Sequence, residues 1–187
     1  MEKSLKQKLL PLILLFVVVI LDQITKALVV KFIPVNTIGA SFMGGFFRIV
    51  HARNLGVAFS IGSMWPDWVR RIVFSLMPII VLCLVLVFYF KNKDFTQVQR
   101  WAITGIVGGG FGNIIDRLFR PLGVVDFLDV QWFGLENSKI SLLQMERWPT
   151  FNVADSAVVV CGILLVVSMI IAFGKEAKEI REANKDK

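Results

Sequence analysis

Two carboxylates stand among apolar neighbours in this chain. Asp126 lies in Gly123-Val124-Val125-Asp126-Phe127, and Asp155 lies in Phe151-Asn152-Val153-Ala154-Asp155-Ser156. An ionisable group at the centre of a bilayer costs about 2.5–3.5 kcal/mol on insertion scales, so such placements need a reason. Two apposed carboxyl groups in a low-dielectric site do not both ionise readily. One keeps a proton while the other acts as a base. Such a pair can activate water and protonate a leaving amine, the chemistry of an aspartic peptidase. Asp126 and Asp155 are the natural pair. Asn and Arg neighbours could hold a peptide backbone or stabilise a developing oxyanion.

Other polar residues share these surroundings. Asn113 and Arg117 stand i,i+4 with Asp116 beside them, so they share a helix face. Asp22 and Lys26 are also i,i+4. They form either a structural ion pair or part of the site itself.

Other chemistries lack their residues. The single histidine, His51, excludes an HExxH zinc site. Cys83 and Cys161 lie in apolar runs and are read as small buried hydrophobes, without disulfide or metal-ligand spacing. No metal and no cofactor is expected. The run Gly108-Gly109-Gly110-Phe111-Gly112 lacks a Walker lysine, and its small-xxx-small spacings suit close helix packing. Gly110-Phe111-Gly112-Asn113 approaches a GxGD protease motif, but Asn stands where Asp is required. A rhomboid-like GxSG is absent.

The elements that must position these residues follow from composition. Of 187 residues, 56% are hydrophobic and 19% charged, with a net charge of +7. This is an integral membrane composition. The basic residues cluster beside apolar runs, where they meet membrane lipid rather than nucleic acid. Apolar segments cover about 9–32, 72–90, 101–119 and 153–173, each close to the ~20 residues that cross a ~30 Å hydrocarbon core. The expected fold is one all-α membrane domain over 1–187 with four transmembrane helices. Both termini then share a side, and a narrow excess of Lys and Arg there favours cytoplasmic termini. The ends carrying Asn113, Asp116, Arg117, Asn152 and Asp155 meet at the opposite, outer interface.

Outer loops span 33–70 and 120–150. In the first, 46–52 and 57–61 are β-prone, with Arg53-Asn54-Leu55-Gly56 between them as a turn, which predicts a small β-hairpin. The second, with Trp132, Phe133 and Trp148, suits an interfacial segment containing Asp126 in a loop. The tail 174–187 reads as a solvated helix end with Lys178 and Glu182 as i,i+4 partners.

Five blocks recur in order from residue 22 to 156: Asp22-Gln23-x-x-Lys26; Asn54-x-Gly56-Val57-Ala58-Phe59-Ser60; Gly108-Gly109-Gly110-Phe111-Gly112-Asn113-x-x-Asp116-Arg117; Val124-Val125-Asp126-Phe127; and Phe151-Asn152-x-Ala154-Asp155-Ser156. In these blocks the chain resembles the bacterial lipoprotein signal peptidases (signal peptidase II). The resemblance implies an intramembrane aspartic endopeptidase that cleaves prolipoproteins just before a cysteine carrying diacylglyceryl. It implies Asp126 and Asp155 as catalytic dyad, Asn54, Asn113, Arg117 and Asn152 along the substrate site, and Asp22, Lys26 and Asp116 in support. It further implies four transmembrane helices with a small periplasmic β-element, cytoplasmic termini, the bacterial inner membrane with the site facing the periplasm, and globomycin-type peptide inhibitors. Three features depart from the pattern. Phe111 stands in place of Leu, 135–148 resembles an insertion, and either Arg70 or Arg71 fills the place of an arginine near the second helix.

Two other classes compete. A proton- or ion-coupled transporter also needs intramembrane Asp, Lys and Arg, but across the whole thickness of the membrane. Here the inner helix halves are nearly free of polar groups, Thr104 being an exception. A non-enzymatic scaffold leaves the clustered carboxylates unexplained.

Overall fold

The computed structural model describes residues 5–54, 66–135 and 140–183. Their elements run α1 (Leu5–Leu9), α2 (Leu12–Phe32), β1 (Ile38–Phe42), β2 (Phe47–Asn54), α3 (Asp67–Lys91), α4 (Gln97–Phe119), β3 (Val124–Val130), α5 (Ser141–Gln144) and α6 (Val153–Ala183). The four long helices match the four apolar segments.

Among the described residues, three helices are long and apolar enough to cross a membrane: Leu5–Phe32, Ile72–Lys91 and Val153–Glu182. Their outward residues are large and apolar, for example Phe16 at 62% exposed, Leu84 at 64% and Ile163 at 59%. The fourth, α4, is less apolar because it is the helix the others surround. It packs on α2, α3 and α6, and buries Arg100, Thr104 and Asp116 with Val107 and Ile114. Apolar groups outside and polar groups satisfied inside are the arrangement a lipid solvent favours.

The glycines of α4 permit this close packing. A Cβ placed on Gly108 would lie 2.8 Å from the Leu15 carbonyl oxygen, and one on Gly112 would lie 2.6 Å from Asp22 Oδ2. The helix begins at Gln97, before the apolar run at 101. Thr96 accepts from Gln99 N at 3.2 Å and donates its own N–H to Gln99 Oε1 at 2.9 Å. This capping box satisfies donors that a helix start leaves open. The helix stops where Arg120 precedes Pro121, because a residue before proline is driven out of the helical region; Arg120 is extended at φ −106, ψ 114.

The β-element is a three-stranded antiparallel sheet in the order β1-β2-β3. This corrects the expected hairpin. Arg53 and Asn54 are not in a turn but form the end of β2, paired with Val125 and Val124 of β3. The tight turn lies at Met43–Gly45, between β1 and β2. The expected second strand at 57–61 lies outside the described residues. Asp126, expected in a loop, is on β3, opposite Ala52. The pairing joins segments some seventy residues apart, which local patterning cannot reveal. One face of β3 buries Val125 and Phe127 against Val29 of α2, with Ile33, Leu128 and Val153 around them. His51, on β2, is buried, its Nδ1 2.6 Å from the Ile33 carbonyl oxygen.

The remainder of the second outer loop packs beside β3. Trp132 lies 4.6 Å from Trp148 and 4.7 Å from Phe133, ring to ring. Arg147 Nε donates to both Asp129 carboxylate oxygens, at 2.7 and 2.8 Å. Within 135–148, residues 136–139 lie outside the described residues. Cys161 is buried as expected, but Cys83 is exposed on α3 and so is not a core residue.

Candidate functional site

One end each of α2, α4 and α6 meets the edge of the sheet, and their polar side chains form one connected network. It begins on α2. Lys26 is fully buried and lies 2.8 Å from Asp22 Oδ2 and 3.1 Å from Asp116 Oδ2. Its third contact is Asn113 Oδ1, at 2.9 Å. The Asp22–Lys26 pair is therefore a buried ion pair, and Lys26 links it to Asn113. Asp22 also accepts the Ala154 N–H at 3.0 Å, which pins the start of α6 to α2.

Asp116 is the buried hub between α4 and the sheet. Besides Lys26 it accepts Arg120 Nε at 2.8 Å, Gln23 Nε2 at 3.1 Å and the Val125 N–H at 3.0 Å. That last bond holds the backbone beside Asp126. Gln23 also donates to the Gly112 carbonyl at 3.0 Å, tying α2 to α4.

The two central carboxylates come together through Asn152. Its Nδ2 donates to Asp126 Oδ1 at 2.7 Å, and its backbone N–H donates to Asp155 Oδ2 at 3.1 Å. Asp155 N donates back to Asn152 Oδ1 at 3.0 Å. This reciprocal pair caps the first turn of α6, where an acidic group is favoured by the helix dipole. Asn113 Nδ2 donates to Asp155 Oδ1 at 2.7 Å. Asn54, at the end of β2, donates to Asp126 Oδ2 at 3.1 Å. Burial pushes the Asp126 carboxyl up to about 6; the Asn54 bond opposes this rise and the Asp155 charge adds to it.

A cavity of about 340 Å³ opens beside Asp155. Pro78, Val81 and Leu82 of α3 form one wall and Val158 and Val159 of α6 the other, with Gly110, Asn113 and Arg117 of α4 at the back. Its walls are apolar and its polar groups are few and convergent, as ligand sites generally are. Arg117 Nε is buried without a hydrogen-bond partner among the described residues. No group of three or more His, Cys, Asp or Glu among the described residues is arranged to hold a metal ion.

Thus Asp22, Lys26, Asn54, Asn113, Asp116, Asp126, Asn152 and Asp155 are joined by direct bonds, and Arg117 lines the adjoining cavity. The side chains of Arg70 and Arg71 lie outside the described residues. Sequence reasoning missed Gln23 and Arg120; Arg120 is i,i+4 from Asp116, a signal that was available. Arg100 is fully buried and donates to the carbonyls of Tyr89 at 3.3 Å and Asn92 at 2.9 Å, at the C-terminal end of α3. The inner half of the bundle is therefore less apolar than its sequence suggests. Even so, residues 105–111 of α4 carry no polar side chain, so Arg100 and Thr104 are separated from the outer network.

Comparison with known proteins places this arrangement. A lipoprotein signal peptidase of Treponema pallidum is 46% identical over 94% of this chain and 88% of its own length. One from Borrelia hermsii is 47% identical over 87% and 91%. A bacterial membrane enzyme solved by the in meso method at 2.3 Å resolution aligns with a TM-score of 0.71 at 26% identity, covering 93% of each chain. The family model for signal peptidase (SPase) II matches residues 14–171, a span that holds every residue of the network. The chain is a multi-pass membrane protein and belongs to the signal peptidase (SPase) II family.

Proposed function

We propose that the chain is an intramembrane aspartic endopeptidase that removes signal peptides from prolipoproteins, cutting before a diacylglyceryl-modified cysteine, with Asp126 and Asp155 as its catalytic dyad. The observation that carries the reading is Asn152, one residue bonded to both carboxylates. Asp126, with its raised carboxyl, keeps the shared proton. Asp155, accepting N–H bonds from Asn113 and Asn152, acts as the base. Water positioned between them loses a proton to Asp155 as it attacks the scissile carbonyl. Asp126 protonates the carbonyl oxygen, giving a gem-diol; as its C–N bond breaks, Asp155 passes its proton to the leaving amine and Asp126 takes one back from a gem-diol hydroxyl, which restores the starting state.

The cavity between α3 and α6 receives the substrate. Its apolar walls suit the lipid chains and apolar side chains of a signal peptide, and Arg117 and Asn113 supply donors for peptide carbonyls. A globomycin-type peptide would occupy the same cavity. In the membrane, α2, α3, α4 and α6 each cross once, with α4 shielded by the other three. Both termini are cytoplasmic, in the bacterial inner membrane, and the dyad faces the periplasm. The polar gap at 105–111 speaks against a transport path, which needs polar groups through the full thickness. Incubating the purified protein with a diacylglyceryl-modified prolipoprotein tests the reading. Release of the signal peptide, lost in Asp126→Asn and Asp155→Asn, supports it. Release that survives either change contradicts it.

A further inference from the structure

Lys26 has three N–H donors and uses all of them, on Asp22, Asp116 and Asn113. One cation therefore faces two fully buried carboxylates. The charges of Arg53 and Arg117 also act on Asp116, but a buried carboxylate short of a directly bonded cation is costly. The second cation is Arg120, whose Nε lies 2.8 Å from Asp116 Oδ1 and whose side chain is 23% exposed.

The position of Arg120 is unusual in another respect. Its backbone N–H closes the last turn of α4 on the Asp116 carbonyl at 2.8 Å, and its carbonyl accepts Gly123 N at 3.1 Å in the turn toward β3. Its side chain returns to the Asp116 carboxylate, whose other oxygen holds Val125 N at 3.0 Å. The connection from α4 to β3 is thus fastened at both ends on Asp116.

We propose that Arg120 is a positioning residue for both carboxylates of the dyad, acting through Asp116 in two directions. Toward β3, it fixes the Asp116 carboxylate through Oδ1, so that Oδ2 holds the Val125 amide and with it the backbone of Asp126. Toward α2, it supplies the charge that leaves Lys26 free to hold Asn113 as well as Asp22. Asn113, oriented by Lys26, presents Nδ2 to Asp155. Arg120 itself touches neither carboxylate of the dyad and is not catalytic. The inference rests on the dyad reading given under Proposed function.

The test uses the full chain in detergent with a diacylglyceryl-modified prolipoprotein substrate, measuring kcat, KM and thermal midpoint. Asp126→Asn serves as the control for the dyad. If Asp126→Asn retains turnover, the dyad reading fails and takes this one with it. With that control inactive, the outcomes bear on Arg120 alone. Arg120→Ala is expected to lower kcat roughly 10–100-fold, the scale of a small misplacement of reacting groups, with KM changed less than about twofold. Arg120→Lys keeps the charge and recovers most of the loss. Arg120→Ala combined with Asp116→Asn removes one charge of each sign, and recovers part of it. If Arg120→Ala does not fold, the lysine variant and the double variant decide. Wild-type kcat in folded Arg120→Ala would overturn the proposal. So would a loss that Arg120→Lys leaves unrepaired, or losses from Asp116→Asn and Arg120→Ala that simply add.

Discussion

Asn152 reaches Asp126 with its side-chain amide across 2.7 Å, and the two come from different parts of the fold, the N-terminus of α6 and the middle of β3. The same residue is bonded to Asp155 through its backbone. The spacing of the two carboxylates is therefore set by one short side chain. Asn152→Ala should keep the helix, because Asp155 remains in its first turn, but leave Asp126 with Asn54 as its remaining bonded side chain among the described residues. Turnover should fall by about 10²-fold, as for misplaced reacting groups, with a smaller change in KM. Steady-state kinetics on a lipidated prolipoprotein checks this.

The raised Asp126 carboxyl makes stability depend on pH. Its folded value is about 6 against an ordinary value of 3.8. Between those values the folded chain holds a proton that the unfolded chain has released, so stability falls as pH rises through this window. The full effect is on the order of 3 kcal/mol, since each unit corresponds to about 1.4 kcal/mol. Thermal midpoints of the wild type should drop from pH 4 to 6 relative to Asp126→Asn, which lacks the group. Parallel curves for the two proteins would contradict the assignment.

Gly112 marks where α4 approaches α2. Gly112→Ala would bring a methyl group within 2.6 Å of Asp22 Oδ2 unless the helices move. Overpacking of this kind typically costs about 1–3 kcal/mol. Here the shift also disturbs Asp22, Lys26 and Asn113 in turn. The prediction is a lowered thermal midpoint together with reduced kcat, both measurable on the purified variant.

Neither cysteine enters the network. Cys83 faces outward on α3 and Cys161 is buried away from the carboxylates. Changing both to Ala should leave turnover at the wild-type level, with only a modest loss of stability from the small cavity at 161. Loss of turnover in the folded double variant, or inactivation of the wild type by a thiol reagent acting at Cys83, would contradict the account.

The helices were legible in the sequence because lipid solvation demands long apolar runs, and 9–32, 72–90, 101–119 and 153–173 each supply one. The carboxylates were legible because Asp126 and Asp155 interrupt apolar segments. What the sequence concealed came from long-range contacts. The pairing of Asn54 with Val124 is invisible to a local pattern, so Arg53 and Asn54 resembled a turn and β3 resembled a loop. Nor does any local pattern reveal the burial of Arg100, which depends on the carbonyls of Tyr89 and Asn92 and on the rings of Tyr89 and Phe95, 5.2 and 5.9 Å from its guanidinium. Thr96 and Gln99 carried a readable capping signal that the apolar count at 101 obscured.

The most direct measurement concerns the dyad. Cleavage of a diacylglyceryl-modified prolipoprotein and binding of a lipopeptide inhibitor are measured side by side for Asp126→Asn and Asp155→Asn. Asn is nearly isosteric with Asp but can neither take nor deliver a proton near neutral pH. Each variant should bind the inhibitor nearly as the wild type does and lose cleavage by 10²–10⁴-fold or more, roughly the value of general acid–base catalysis. Turnover above about a tenth of the wild-type rate in either variant, far beyond that expectation, would contradict the aspartic mechanism.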